Sequence, residues 1–186
     1  MAKDGANAYR PLLEACSFAG RAHRNQLRKD GVTPYVSHAF RVCLIVRDAF
    51  GIDDRDVLAA AVLHDTVEDT TKDFDDIEEA FGETVARWVA ALSKDKRLPE
   101  IEREKAYAKQ LAGAAWQVRV CKLADIFDNL VDSIHTRPKQ QARTLENASR
   151  YLEALHQNLP EPARRPWEIV SGLVAAMQSQ FKASTK

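Results

Sequence analysis

The stretch from Trp116 to Ile134 does most to limit how this chain can fold. Cys121, Ala124, Phe127, Leu130 and Val131 recur there at the spacing of one helical face, which lays an apolar stripe along an α-helix. The same period returns elsewhere. Leu12, Leu13, Cys16 and Ala19 mark one face of a first helix from about Asn7 to His23, and Val85, Trp88, Val89 and Leu92 mark another. Helix breakers are few, with 7 Gly and 7 Pro against 28 Ala in 186 residues. The pattern predicts an all-α chain in which no segment reads as a strand.

Local signals divide the helices. Asn25 to Pro34, with Gly31, reads as a loop, and Ser37 is expected to cap a second helix running to about Phe50. Gly51 is expected to end it, with Asp53 or Asp54 opening a third helix that continues through Val67 or beyond. Asp73 can cap a short helix ending at Gly82, and Pro99 fits the first turn of a helix to about Leu111. Helices over Pro138 to Leu159 and Arg165 to Phe181 complete the chain. There is no repeat, low-complexity tract or linker, so one domain over residues 1–182 is expected, with a frayed tail at 183–186.

Composition removes several classes of function. Lys plus Arg and Asp plus Glu each total 27, so no global charge favours nucleic acid or an anionic membrane. The longest apolar run, Leu58 to Leu63, is far short of the roughly 20 residues of a membrane span. Met1 to Gly5 carries no apolar signal segment. Cys16, Cys43 and Cys121 are far apart and odd in number, which argues against a disulfide framework or a zinc ribbon and makes a reducing cytoplasm the expectation.

The chemistry concentrates after that apolar run, in Leu63-His64-Asp65-Thr66-Val67-Glu68-Asp69. On one continuous helix His64 and Glu68 would stack on one stripe, and Asp65 and Asp69 on the next. Three carboxylates crowded with an imidazole repel one another unless a cation joins them. An isolated His-Asp pair is usually a solvated helix end, but two further residues argue otherwise here. His38 stands near the start of the second helix. Asp125 lies inside the most apolar helix, where an unpaired carboxylate is costly. His38, His64, Asp65 and Asp125 form a two-histidine, two-carboxylate set suited to a first-row divalent ion such as Mn, Fe or Zn. Glu68 and Asp69 would lie one turn away, where a general base could act on water. Asn129 follows Asp125 by one turn, while Asp128 falls at a different angle and reads as solvent-facing. Of the other histidines, His23 reads as packing and His135 and His156 as exposed. The cysteines read as small core residues, and Asp75, Asp76, Glu78 and Glu79 as a solvated acidic face.

His38, His64-Asp65 and Asp125, in that order, resemble the signature of the HD metal-dependent phosphohydrolase superfamily. Ala22 to Gly31 followed by Thr33 to His38 resembles the first hydrolase motif of the RelA/SpoT homologues. Ala61 to Thr70 resembles their second, and Lys122-Leu123-Ala124-Asp125 with Asn129 their last. Asp95 to Lys105 is similar to the stand-alone small alarmone hydrolases, including the metazoan type. The likeness covers about Ala8 to Tyr151. It implies the all-α HD-domain fold, Mn²⁺ as cofactor on His38, His64, Asp65 and Asp125, and Glu68 with Asp69 as the pair that activates water. It also implies substrate contacts from Arg28, Lys29, Asn129 and, in a looser alignment, Tyr151. The implied reaction removes pyrophosphate from the ribose 3′ position of ppGpp or pppGpp. The expected partner is thus a phosphorylated nucleotide, without nucleic acid or membrane, for a monomer or homodimer. Arg103 and Lys105 are candidates to offset phosphate charge, and a solvated helix face explains them equally well. Two departures stand out: Ile126 where the family commonly has a basic residue, and Ala39 in place of a proline. The chain ends before a synthetase domain would fit, so degradation without synthesis is expected. Adenosine counterparts such as ppApp, the 2′-phosphate of NADPH, and a general nucleotidase activity are neighbouring readings of the same site. A nucleotide-binding sensor without catalysis is the reading from another class.

Overall fold

The computed structural model describes the backbone of residues 2–184 and the side chains of residues 9–181. The described residues form helices α1 (Ala2–Ala22), α2 (Val36–Leu44), α3 (Arg55–Leu63), α4 (Thr66–Asp69), α5 (Phe74–Leu92), α6 (Glu100–Ala112), α7 (Trp116–Ser133), α8 (Pro138–His156) and α9 (Glu161–Ser184). The all-α expectation holds: among the described residues the one β-type pairing is an isolated bridge between Leu27 and Pro34. Of the expected tail, Ala183 and Ser184 continue α9, while Thr185 and Lys186 lie outside the described residues.

α7 is the axis of the fold. It packs against α2, α3, α5, α8 and α9, and α1 lies on α3. Val118, Val120, Cys121, Leu123, Ala124, Ile126 and Leu130 of α7 are buried. Val131, expected on the same stripe, is 46 % exposed, and Leu13 of α1 is 63 % exposed, so each helix turns a narrower face inward than its apolar spacing suggests. Four charged residues go under with α7: Arg119, Lys122, Asp125 and Asp128. Arg119 explains itself structurally, since its guanidinium donates to the carbonyls of Ala112, Ala114, Leu155 and Gln157 and ties the ends of α6 and α8 together.

The helix ends follow local chemistry, with two corrections. Asp54 caps α3, accepting from the amides of Asp56 and Val57, and Asp73 with Asp76 forms a capping box on α5. α5 kinks at Gly82, whose φ of +83° only glycine adopts without strain. Ser37 is not a cap. Tyr35 is already in the right-handed helical region, the helix starts at Val36, and the Ser37 hydroxyl donates to the Pro34 carbonyl instead. The second correction matters more. α3 does not run through Val67 but stops at Leu63, and Asp65 takes φ −100°, ψ 0° before α4 begins. Stripes of i and i+4 residues across a single helix therefore do not describe His64 to Asp69.

Candidate active site

The break after α3 is what lets His64 and Asp65 reach one point together with residues from two other helices. His38 comes from α2, close to its start, and Asp125 from the middle of α7. One ligand atom from each of His38, His64, Asp65 and Asp125 lies within 4.8 Å of the others. His38 Nε2 is 3.2 Å from Asp125 Oδ1 and 3.6 Å from Asp65 Oδ2, and His64 Nε2 is 2.9 Å from Asp65 Oδ2 and 3.8 Å from Asp125 Oδ1.

The outward nitrogens of both imidazoles are held. His38 Nδ1 donates to Asp128 Oδ2 at 2.6 Å, and His64 Nδ1 donates to the Ala61 carbonyl at 2.9 Å. With Nδ1 carrying the proton, each Nε2 presents a lone pair to the carboxylates. His64 Nε2 is buried and has no hydrogen-bond partner despite its closeness to Asp65. A lone pair facing carboxylate oxygens is repulsive unless a positive centre lies between them. A divalent cation with mixed imidazole and carboxylate ligands meets this requirement, and the fixed outer hydrogen bonds are the supports such a ligand set needs. With a proton as the only positive charge, burial opposes ionisation of the imidazoles, but the carboxylates win and raise His38 to about 9 and His64 well above its ordinary value.

Asp128 is the main residue misread from sequence. It is buried, and besides His38 it accepts from Arg41 Nε at 2.6 Å and Nη2 at 2.9 Å. Tyr35 is also new: its hydroxyl lies 2.5 Å from Asp65 Oδ2 and 3.1 Å from Asp69 Oδ2, and can donate to one of them at a time.

Asp65 and Asp125 open onto a cleft of about 330 Å³, of a size for a small ligand. Glu68, Asp69, Lys29, Asn129 and Tyr151, all expected from sequence, line it, together with Lys94, Lys122 and Ile126. Glu68 accepts from the Lys94 amide at 2.9 Å, and burial pushes its carboxyl upward. Asp69 pairs with Lys96 at 2.6 Å. One loop after α5 thus grips both carboxylates. Tyr151 donates to Glu104, which also accepts from Lys94 Nζ at 3.0 Å. Burial alone would lower Lys122, but Asp125 Oδ2 at 2.7 Å and the rings of Tyr107 and Tyr151 hold it firmly protonated.

Two expected cation roles change. Arg28 does not line the cleft: it donates to Asp132 Oδ2 at 2.7 Å and to Asn129 Oδ1 at 3.1 Å. Asn129 in turn donates to Asp125 Oδ1 at 2.5 Å, so Arg28 stands behind the cleft wall. Arg103 and Lys105 are also outside the lining, and Lys94 and Lys122 supply positive charge instead. His23, read as a packing residue, is buried with its ring stacked on Tyr35, and all three cysteines are free.

The sequence matches the HD domain family over residues 15–153. It is 43% identical over 129 residues to the guanosine-3′,5′-bis(diphosphate) 3′-pyrophosphohydrolase MESH1 of Danio rerio, a span of 69% of this chain and 72% of that protein. The MESH1 of Homo sapiens matches with the same identity and coverage. The fold superposes on a solved metazoan ortholog of SpoT described as hydrolysing ppGpp, with a TM-score of 0.81, 29% identity, and 90% of this chain and 95% of that chain covered.

Proposed function

The chain belongs to the HD-domain family, beside the MESH1 pyrophosphohydrolases, and from that premise we propose that it is a Mn²⁺-dependent (p)ppGpp 3′-pyrophosphohydrolase, yielding pyrophosphate and GDP or GTP. The observation that carries the reading is the meeting of His38, His64, Asp65 and Asp125 within 4.8 Å, opening onto a cleft that holds both acids and ammonium groups.

In this reading the two Nε2 atoms and the carboxylates of Asp65 and Asp125 hold the cation. When bound, the cation supplies Lewis acidity to a phosphoryl oxygen and acidity to water. Asp128 and the Ala61 carbonyl fix the tautomers that make this binding possible. Glu68 takes the proton of the attacking water. A carboxyl pushed upward by burial is better matched to that task at neutral pH than an ordinary one. Asp69, held by Lys96 and Tyr35, orients the same water. Lys29, Lys94 and Lys122 offset phosphate charge, and their arrangement before substrate arrives is what makes them effective. Asn129 and Tyr151 contact the nucleoside, with Arg28 bracing Asn129 from behind. No described helix is long and apolar enough to cross a membrane. Free thiols suit a reducing compartment, so we place the enzyme in the cytoplasm, as a monomer or homodimer that needs no nucleic acid or membrane.

The test is release of pyrophosphate and of orthophosphate, with Mn²⁺, from ppGpp, ppApp and NADPH side by side. Pyrophosphate from ppGpp is expected. Orthophosphate from NADPH alone would overturn the alarmone reading, and loss of activity that Mn²⁺ does not restore after chelation would overturn the choice of metal.

A further inference from the structure

α4 is too short to hold its own end. It has four residues, Thr66–Asp69, and a single helical turn is unstable by itself, with its last carbonyls lacking partners inside the helix. The Thr66 carbonyl accepts from the Thr70 hydroxyl at 2.7 Å. The Asp69 carbonyl accepts from Nε2 of Gln26 at 2.7 Å, a residue of the loop between α1 and α2. A carbonyl only accepts, so the amide NH₂ of Gln26 faces Asp69, and its Oε1 faces Nδ1 of His23, which donates at 2.8 Å. His23 is 3 % exposed and stacked on Tyr35 with ring centroids 4.8 Å apart, so it is fixed in turn. The carboxamide is thereby held at both ends.

Gln26 is also the base of the arm that carries Arg28 and Lys29. Its own carbonyl accepts from the Tyr35 amide at 2.8 Å, and the Arg28 amide donates to the Thr33 carbonyl at 2.8 Å, which closes the arm as a short hairpin. Gln26 itself does not line the cleft. The side chain of Asp69 has two holds, and neither decides its place. Lys96 is half exposed, so solvent weakens its ion pair. The Tyr35 hydroxyl is shared with Asp65, which lies closer, at 2.5 Å against 3.1 Å. The backbone of Asp69 therefore sets where its carboxylate stands. We propose that Gln26 is a positioning residue for the reaction: by holding the Asp69 carbonyl it fixes where the Asp69 carboxylate meets water, and it places that acid and Lys29 of the cleft on one mount. This inference rests on the proposed role of Asp69 in orienting water.

The experiment uses Gln26→Leu, which keeps the bulk and loses the amide, and Gln26→Glu, which keeps the shape and the acceptor toward His23 but offers Asp69 no N–H. Each is made alone and together with Asp69→Asn, and either one decides if the other does not fold. The readouts, taken with Mn²⁺, are steady-state turnover of ppGpp and backbone hydrogen exchange. kcat is expected to fall about tenfold with KM within about twofold, because a small misplacement of a water-orienting group costs rate and Gln26 stands outside the cleft. In the Asp69→Asn background the same substitutions should cost about twofold or less, since the group they position is already gone. Exchange of the Asp69 amide, bonded to the Asp65 carbonyl at 2.8 Å, should quicken about fivefold while the amides of α7 keep their wild-type rates. Unchanged exchange at Asp69 overturns the proposal whether or not any substrate turns over, and so does an unchanged kcat. A kcat loss equally large in the Asp69→Asn background overturns it as well, because Gln26 would then act elsewhere. A wild-type protein that leaves ppGpp intact while exchange still quickens in the variants refutes the alarmone reading, leaves the hold on Asp69 standing, and moves the kcat comparison to NADPH.

Discussion

Asp128→Ala should damage both stability and metal affinity. The carboxylate is 4 % exposed and receives three short hydrogen bonds, from His38 Nδ1 at 2.6 Å and from Arg41 at 2.6 and 2.9 Å. Alanine leaves the buried His38 N–H without a partner. Arg41 is 37 % exposed and can return to water, so its share of the loss is small. The remaining cost is that of an orphaned buried donor plus a lost charge-assisted bond, about 2–4 kcal/mol. In a domain of this length that lowers Tm by roughly 5–12 °C. Asp128→Asn keeps an acceptor oxygen without the charge and should lose about half as much. Because His38 loses the group that orients it, Mn²⁺ affinity should also fall, about 10- to 100-fold. The pH dependence has a definite sign. Burial pushes Asp128 upward, but the His38 and Arg41 hydrogen bonds outweigh it and leave the pKa lowered. A lowered carboxylate stabilises the fold above its unfolded pKa of about 4 and ceases to do so as pH falls through the folded value. The gap between wild type and Asp128→Ala should therefore be full at neutral pH and close in acid. Thermal melts across pH, with and without Mn²⁺, measure all of this. An alanine variant that melts within a degree of wild type and binds Mn²⁺ as tightly would refute the support role of Asp128.

Four further outcomes follow from the geometry. Mn²⁺ binding near neutral pH should release about two protons, read from calorimetry in buffers of different ionisation enthalpy, because His38 sits near 9 and His64 well above its ordinary value without a cation. The same raised imidazoles stabilise the metal-free protein below about pH 6.5, a contribution lost as pH rises through the His38 value. Glu68→Gln and Asp69→Asn should keep metal and fold while turnover drops by about 100-fold or more, whereas Asp125→Ala should lose metal as well, and equal metal content in all three would contradict the division of roles. Gly82→Ala should cost about 1–3 kcal/mol in denaturant unfolding from backbone strain alone, since an added Cβ meets nothing within 4 Å at φ +83°.

The parts of the site that were legible in sequence share one signal, a charged or ligating residue where the apolar period predicts burial. Asp125 inside α7 is the clearest, and Lys122, in the same helix, carried the same signal without being given a role. Asp128 escaped because angle on a helical wheel says which side a residue faces but not that Arg41 and His38 approach from α2 on that side. The end of α3 at Leu63 escaped because the turn at His64 and Asp65 contains no Gly or Pro to mark it, so the sequence pattern runs on while the path changes. Lys94, Lys96 and Tyr35 sit in loops or at a helix start, where no period exists to place them. Arg28 shows the reverse: its motif is legible, but only the fold shows that Asp132 and Asn129 occupy its guanidinium.

Beyond Asp56, which is exposed, α3 has no outward side. Every residue from Val57 to Leu63 is buried, Ala59, Ala60 and Ala61 to within 2 % of complete exclusion, with α1, α2, α5 and α7 against it. Most helices tolerate change with the rhythm of their own turn, permissive every third or fourth position. α8, buried at Leu145, Ala148, Leu152 and Leu155, should show that rhythm in a map of accepted substitutions. Along α3 the rhythm should vanish, since even one added methylene costs about 1–3 kcal/mol in a packed interior. Its three alanines should be as intolerant as a ligand, although none bears a reactive atom. The last residue of that rigid rod is the one before His64, so drift in the interior cannot be absorbed before it reaches the ligands.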